Sequence, residues 1–238
     1  MLYTELMPKK KKAARFTGDK KLPMRSFFAD AEKRFITFLT PHFPRWIEGY
    51  HLTLMTIVWC IGIILCGRLA RGTMHWLWLS SLFIALQWFT DCFDGSLGRF
   101  RDTGIPKWGF YMDHLLDFVF LVSIFIGYSF LVQGYHVWVL YLLMLTFSGF
   151  MINSFLSFAA TGEFKITYLG SGPTEMRLFF ILLNAALIVF GIGFFKTALP
   201  FATVLALVVL TVVIFRTQKY IWNIDMAARK KRSKADHG

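Results

Sequence analysis

Residues 118–162 read FVFLVSIFIGYSFLVQGYHVWVLYLLMLTFSGFMINSFLSFAATG, 45 consecutive positions without an Asp, Glu, Lys or Arg. A helix crossing the hydrocarbon core of a bilayer needs about 20 apolar residues, so this stretch is long enough for two crossings. Gln133-Gly134, inside it, supplies the turn between them. Outward from it, further charge-free stretches occupy 49–67, 72–90, 178–195 and 197–215. The expected architecture is an all-α integral membrane protein with six transmembrane helices, at about 52–69, 76–94, 109–132, 137–160, 174–195 and 200–217, with Pro200 opening the sixth.

Composition agrees. Of 238 residues 56% are hydrophobic and 17% charged, where a soluble domain has about 25% charged residues. A soluble enzyme, a disordered chain and a single-anchor protein are excluded. Cys60, Cys66 and Cys92 are odd in number and lie in or beside apolar spans, which reads as reduced packing residues rather than a disulfide framework or zinc site. The first forty residues are basic and polar with no early apolar run, so no cleavable signal peptide is expected and the first span serves for insertion.

The net charge of +12 is unevenly placed. With six spans, 23 of the 26 Lys and Arg residues fall on the side of the two termini. Arg68, Arg71 and Lys196 alone fall on the other. Cytoplasmic loops carry the basic excess, so both termini are expected in the cytoplasm. The basic tails then set topology and attract anionic lipid; no aromatic-interleaved groove or nucleic-acid module accompanies them. The expected organisation is a basic cytoplasmic segment over 1–46, a six-span domain over 47–220 and a basic cytoplasmic tail over 221–238. Within the first segment, 26–39 reads as an amphipathic helix lying in the membrane interface, with Phe28, Ala31, Phe35 and Phe38 on one face.

Five of the 14 acidic residues crowd into positions 91–117. The run is Asp91-Cys-Phe-Asp94-Gly95-Ser-Leu-Gly98-Arg99, nine residues, then Gly109-Phe-Tyr-Met-Asp113-His-Leu-Leu-Asp117. Residues three or four apart share a helix face. Asp91 and Asp94 therefore point together from the end of span 2, and Asp113 and Asp117 from the first turns of span 3. A loop of about fourteen residues between antiparallel neighbours lets both pairs face one cavity. A lone Asp near a helix end is ordinarily a solvated boundary residue. Four at this spacing beside hydrocarbon are costly, and no comparable set of cations lies in the same helices. Divalent cations with oxygen ligands would balance them, and two such ions could stabilise the entering and leaving oxygens of a phosphoryl transfer. Gly95 would let a phosphate approach the backbone, and Arg99 could pair with it bidentately.

This run resembles the signature of the CDP-alcohol phosphatidyltransferases (class I), D-x-x-D-G-x-x-A-R, about eight residues, then G-x-x-x-D-x-x-x-D. Gly98 stands where the family has Ala, and the spacer has nine residues. The resemblance implies that Asp91, Asp94, Asp113 and Asp117 hold two Mg²⁺ or Mn²⁺ ions, that Asp117 also accepts the proton of the attacking hydroxyl, and that Gly95 and Arg99 hold the CDP moiety. Of a Pro-Asn-x-x-Thr-like element at the start of span 1, His51-Leu52-Thr53 keeps only the threonine. Pro106 stands where some relatives have a small hydroxyl residue, and that contact is not carried over. Gly170-Ser-Gly-Pro-Thr174-Glu175-Met-Arg177 resembles a Gly-Pro-x-Glu element before span 5. There Thr174 or Glu175 caps the helix or meets substrate, and Arg177 is the candidate for an acceptor phosphate or anionic head group. His114, between two signature aspartates, reads as a packing residue before a ligand.

The implied activity is membrane phospholipid synthesis at the cytoplasmic surface, transferring a phosphatidyl (phosphoalcohol) group from a CDP-linked donor to a hydroxyl acceptor with release of CMP. CDP-diacylglycerol with a small polar alcohol is the favoured pair; CDP-choline or CDP-ethanolamine with diacylglycerol is the alternative. Partners would be donor, acceptor and bilayer, with no nucleic acid; a homodimer is compatible with this. A divalent cation transporter is the distant rival, but it expects carboxylates near the midplane and an inverted repeat.

Overall fold

The computed structural model describes residues 29–162 and 172–235. The basic run Lys9–Lys12, Phe28, Lys165 and Gly170 lie outside the described residues. Helix is the only regular structure among the described residues. α1 (Ala29–Leu39) and a 3-10 turn (Thr40–His42) lead into α2 (Gly49–Leu69), α3 (Trp76–Arg101), α4 (Pro106–Ser129), α5 (Tyr135–Thr161) and α6 (Pro173–Ala235). Pro106 and Pro173 stand in the first turns of their helices, where a missing N–H costs nothing.

Four of these helices, α2, α4, α5 and α6, are long and apolar enough to cross a membrane. α3 has the length, at 26 residues, but carries Asp91, Asp94, Arg99 and Arg101 in its C-terminal part. The loop expected after Asp94 is also shorter than fourteen residues, because α3 continues through the signature to Arg101. Phe93 and Leu97, one turn apart and fully buried, pack with Leu52 and keep that stretch helical. Asp102 closes it in the left-handed region at φ 56°.

α6 breaks at Gly191 (φ 75°, ψ 178°), not at the expected Lys196–Pro200 boundary, and Pro200 lies inside its second part. The neighbours of the two parts show which way each runs. In the first, Arg177 reaches Asp117 and Asn184 reaches Tyr128, so 173–190 rises alongside α4. A straight helix would carry Phe195 about 16 Å beyond Asn184, yet its ring lies 5.7 Å from that of Tyr128. The chain therefore folds back at Gly191, a turn that only glycine takes without steric strain. The second part descends beside α5, where Asn153 donates to Thr217 at 3.3 Å, and stays helical through the basic residues to Ala235.

The main apolar core draws on Ile63, Leu77, Ile124, Leu140, Leu187 and Leu199, one from each of α2 to α5 and one from each part of α6. All three cysteines are free, and Cys60 and Cys66 are buried in packing positions. α1 packs on the bundle through a face other than the one carrying Phe38. Phe38 is 71% exposed, and Ile36, Leu39 and Thr40 turn inward instead. Phe35 lies between, its ring 5.6 Å from Phe93. The linker to α2 is held by Arg101, whose guanidinium donates to the carbonyls of Phe43, Pro44, Arg45 and Ile47.

α2 and α4 touch backbone to backbone. A Cβ on Gly67 would fall 2.4 Å from Gly127 Cα, the small-residue contact by which helices associate in lipid. Gly67→Ala should therefore lower stability by about 1–3 kcal/mol, the usual cost of overpacking. Gly193→Ala, where a Cβ meets nothing within 4 Å, should not. Thermal unfolding of both variants in one detergent checks this; equal midpoints would remove the close contact as a constraint.

Candidate active site

The signature residues lie on two helices that α6 bridges. Asp91 on α3 and Asp113 and Asp117 on α4 each present a carboxylate oxygen within 4.8 Å of the others. All three are half-buried. A hard divalent cation needs such an all-oxygen donor set. Asp94, one turn beyond Asp91, stands outside this triad. Its Oδ2 accepts from Thr53 Oγ1 at 2.8 Å, and its Oδ1 accepts from the Gly95 N–H.

Gly49 fixes that placement. A Cβ there would lie 2.3 Å from the Asp94 carbonyl oxygen, so the start of α2 rests directly on the signature turn. Thr53, the one residue kept from the Pro-Asn-x-x-Thr-like element, thus holds a signature carboxylate. The Arg99 guanidinium lies over Gly95, 3.1 Å from where a Cβ would stand, and donates to Ser96 Oγ at 3.1 Å. Gly98 likewise faces Gly104, whose Cα would be 3.0 Å from an added Cβ. The family's Ala would crowd that turn in this chain.

Arg177 on α6 supplies a cation that reaches the carboxylates of both α3 and α4. Its Nη2 donates to Asp91 Oδ2 at 2.9 Å and Asp117 Oδ1 at 3.1 Å. Its Nε donates to Gln87 Oε1 at 2.6 Å. The residue is 5% exposed, and its guanidinium sits 5.6 Å from the Phe120 ring centroid. The expectation of a side chain held ready for an anion meets an arginine engaged with two signature carboxylates. Gln87 escaped the sequence reading although it lies one turn before Asp91, on the same face.

Other candidates make contacts within the fold. Glu175 accepts from the Gly172 N–H at 2.9 Å and so caps α6. Thr174 donates to Glu32 of α1 at 2.9 Å, and Cys92 contacts the other Glu32 oxygen at 3.5 Å. No periodicity in α1 marks Glu32 for this place. The His114 ring lies tilted against those of Phe110 and Phe155, with Nδ1 3.4 Å from Asp113.

These residues line the mouth of a cavity of about 1590 Å³ inside the bundle. Its polar end holds Asp91, Asp94, Gly95, Arg99, Asp113 and Asp117. Further in, the walls are Phe125, Leu140, Leu143, Phe195 and Leu199. One chamber thus has a carboxylate-rich end that could hold a metal ion and an apolar end.

The model of the CDP-alcohol phosphatidyltransferase family matches residues 49–217. No curated protein and no solved structure matches the chain. The matched stretch begins with the helix that carries Gly49 and Thr53 and ends on the second part of α6, beside α5. It includes every aspartate of the cluster and the arginine that bridges them. Over most of its length, then, the chain belongs to the CDP-alcohol phosphatidyltransferase family, whose members transfer substituted phosphate groups.

Proposed function

We propose that this phosphatidyltransferase takes CDP-diacylglycerol as donor and a small polar alcohol as acceptor, releasing CMP. The observation that carries the reading is the chamber itself, with three carboxylates converging at its mouth and apolar walls beneath them. A pyrophosphate needs the first end, and acyl chains need the second. Diacylglycerol as acceptor, with CDP-choline or CDP-ethanolamine as donor, would use the same two ends. The compact chain with basic termini favours the lipid as donor.

The family generally uses divalent metal ions, and the donor set here fits them. Asp91, Asp113 and Asp117 would hold one, with Asp94 completing a site for two. Mg²⁺ or Mn²⁺ bound there neutralises charge on the transferring phosphoryl group. Thr53 keeps Asp94 turned towards the site. The bare backbone at Gly95 and the guanidinium of Arg99 receive the donor's phosphates. Asp117 accepts the acceptor's hydroxyl proton; the freed oxygen forms its bond to the β-phosphorus as the bond to the bridging oxygen breaks, and CMP leaves. Positioning and fixed charge supply the rate, with no covalent enzyme intermediate.

The chain would cross the bilayer six times, α3 and both parts of α6 included, with termini and site cytoplasmic. The reversal at Gly191 and the basic excess on one side support this. α1 would lie in the cytoplasmic interface, its exposed Phe35 and Phe38 towards lipid.

Purified protein with a panel of both donor types should release CMP only with Mg²⁺ or Mn²⁺, and the productive donor–acceptor pair separates the two arrangements. Full turnover in EDTA would sink the metal-site reading. Asp117→Asn, assayed at saturating metal, should keep donor binding while single-turnover CMP release falls by about 10²–10⁴, the contribution of a positioned general base. A rate within a few-fold of the parent places the base elsewhere. For topology, cysteines replacing Lys107 and Gly134 should label from opposite faces of sealed oriented vesicles. Labelling of both from one face would break the six-span arrangement.

A further inference from the structure

Arg177 and a divalent cation have a claim on the same carboxylates. The guanidinium takes Asp91 Oδ2 and Asp117 Oδ1, two of the three oxygen-bearing groups that could grip a single ion. An ion held by the triad would have to share the negative charge of those two carboxylates with the guanidinium. Charge points the same way. Two divalent ions balance the charges of Asp91, Asp94, Asp113 and Asp117 in full. A guanidinium at 3 Å would then face two dications across a poorly screened gap. Gln87 does not change this, since its buried amide oxygen bonds Nε and offers no charge.

We propose that Arg177 is a built-in counter-ion that competes with the metal for Asp91 and Asp117 and withdraws from them when the metal binds. The inference rests on the metal-site reading above. It makes any contact between Arg177 and an anionic substrate conditional on the cation, because only then is the guanidinium free of its carboxylates. Cation first and anion second is the order it imposes. Arg177 is thus a positioning residue for the metal, acting through Asp91 and Asp117.

The test uses the full-length protein in detergent and Mn²⁺ alone, followed by electron paramagnetic resonance. Arg177→Met should bind Mn²⁺ at least about tenfold more tightly than the parent, since two charge-assisted hydrogen bonds no longer have to be broken. Arg177→Lys should fall between, because a point charge bridges two carboxylates less well than a planar fork. In the unaltered protein, Mn²⁺ should raise phenylglyoxal labelling of Arg177, a readout that needs no variant to fold. If Mn²⁺ binds the parent but Arg177→Met binds it no better, or labelling does not rise, the counter-ion proposal falls alone. If the parent binds no Mn²⁺ at millimolar concentration, the metal-site reading falls with it.

Discussion

Three carboxylates gathered at the edge of an apolar bundle need positive charge nearby. On insertion scales one central Asp costs about 2.5–3.5 kcal/mol, and Asp91, Asp113 and Asp117 lie close enough together to repel one another. Arg177 answers part of that cost, and in doing so it decides which helices meet. Its two carboxylate contacts join α6 to α3 and to α4, and its third, to Gln87, fixes its depth on α3. Both carboxylate contacts are charge-assisted, so this bridge holds the first part of α6 against the signature helices. The mouth of the chamber is shaped by the same requirement.

α2 is held by a different force. Between helices in lipid there is little hydrophobic drive, and contact depends on how closely backbones approach. Gly67 against Gly127 provides that approach at one level, and Gly49 against the Asp94 carbonyl provides it at the level of the site. The second contact is what brings Thr53 within 2.8 Å of Asp94. A larger residue at 49 would move α2 outward and take the hydroxyl away from its carboxylate. Packing in the membrane and orientation of a signature residue thus rest on one missing side chain.

How much of this could be seen in the residues alone follows from the range of each interaction. Charge-free runs marked the apolar helices well, because membrane solubility acts on every residue of a span. Spacing of three and four marked the aspartate pairs, because a helix turn is local. The continuation of α3 to Arg101 was hidden by Gly95 and Gly98, which read as loop, while Phe93 and Leu97 bury against Leu52 in a cluster that only the folded chain reveals. Pro200 reads as the opening of a sixth span, but the reversal needs positive φ, and Gly191 supplies it. The Arg177 bridge joins residues 86 and 60 positions apart. Nothing in the periodicity of either segment announces such a pairing.

Arg99 and Arg101 show how the fold sorts like residues into unlike work. Two positions apart on a helix, they point to nearly opposite sides. Arg101 spends its fork on four carbonyls of the α1–α2 linker, with Glu48 at 3.9 Å, and so fixes where α1 lies. Its donors are consumed by the backbone and cannot reach the chamber. Arg99 is exposed, has one hydroxyl partner in Ser96 and lies across the bare surface of Gly95 at the mouth. Exchange of the two roles would need a rotation of α3 about its axis by half a turn. That rotation would carry Asp91 and Asp94 out of the site as well. The orientation that lets Arg101 fasten the linker is therefore the same one that leaves Arg99 across Gly95 at the mouth of the chamber.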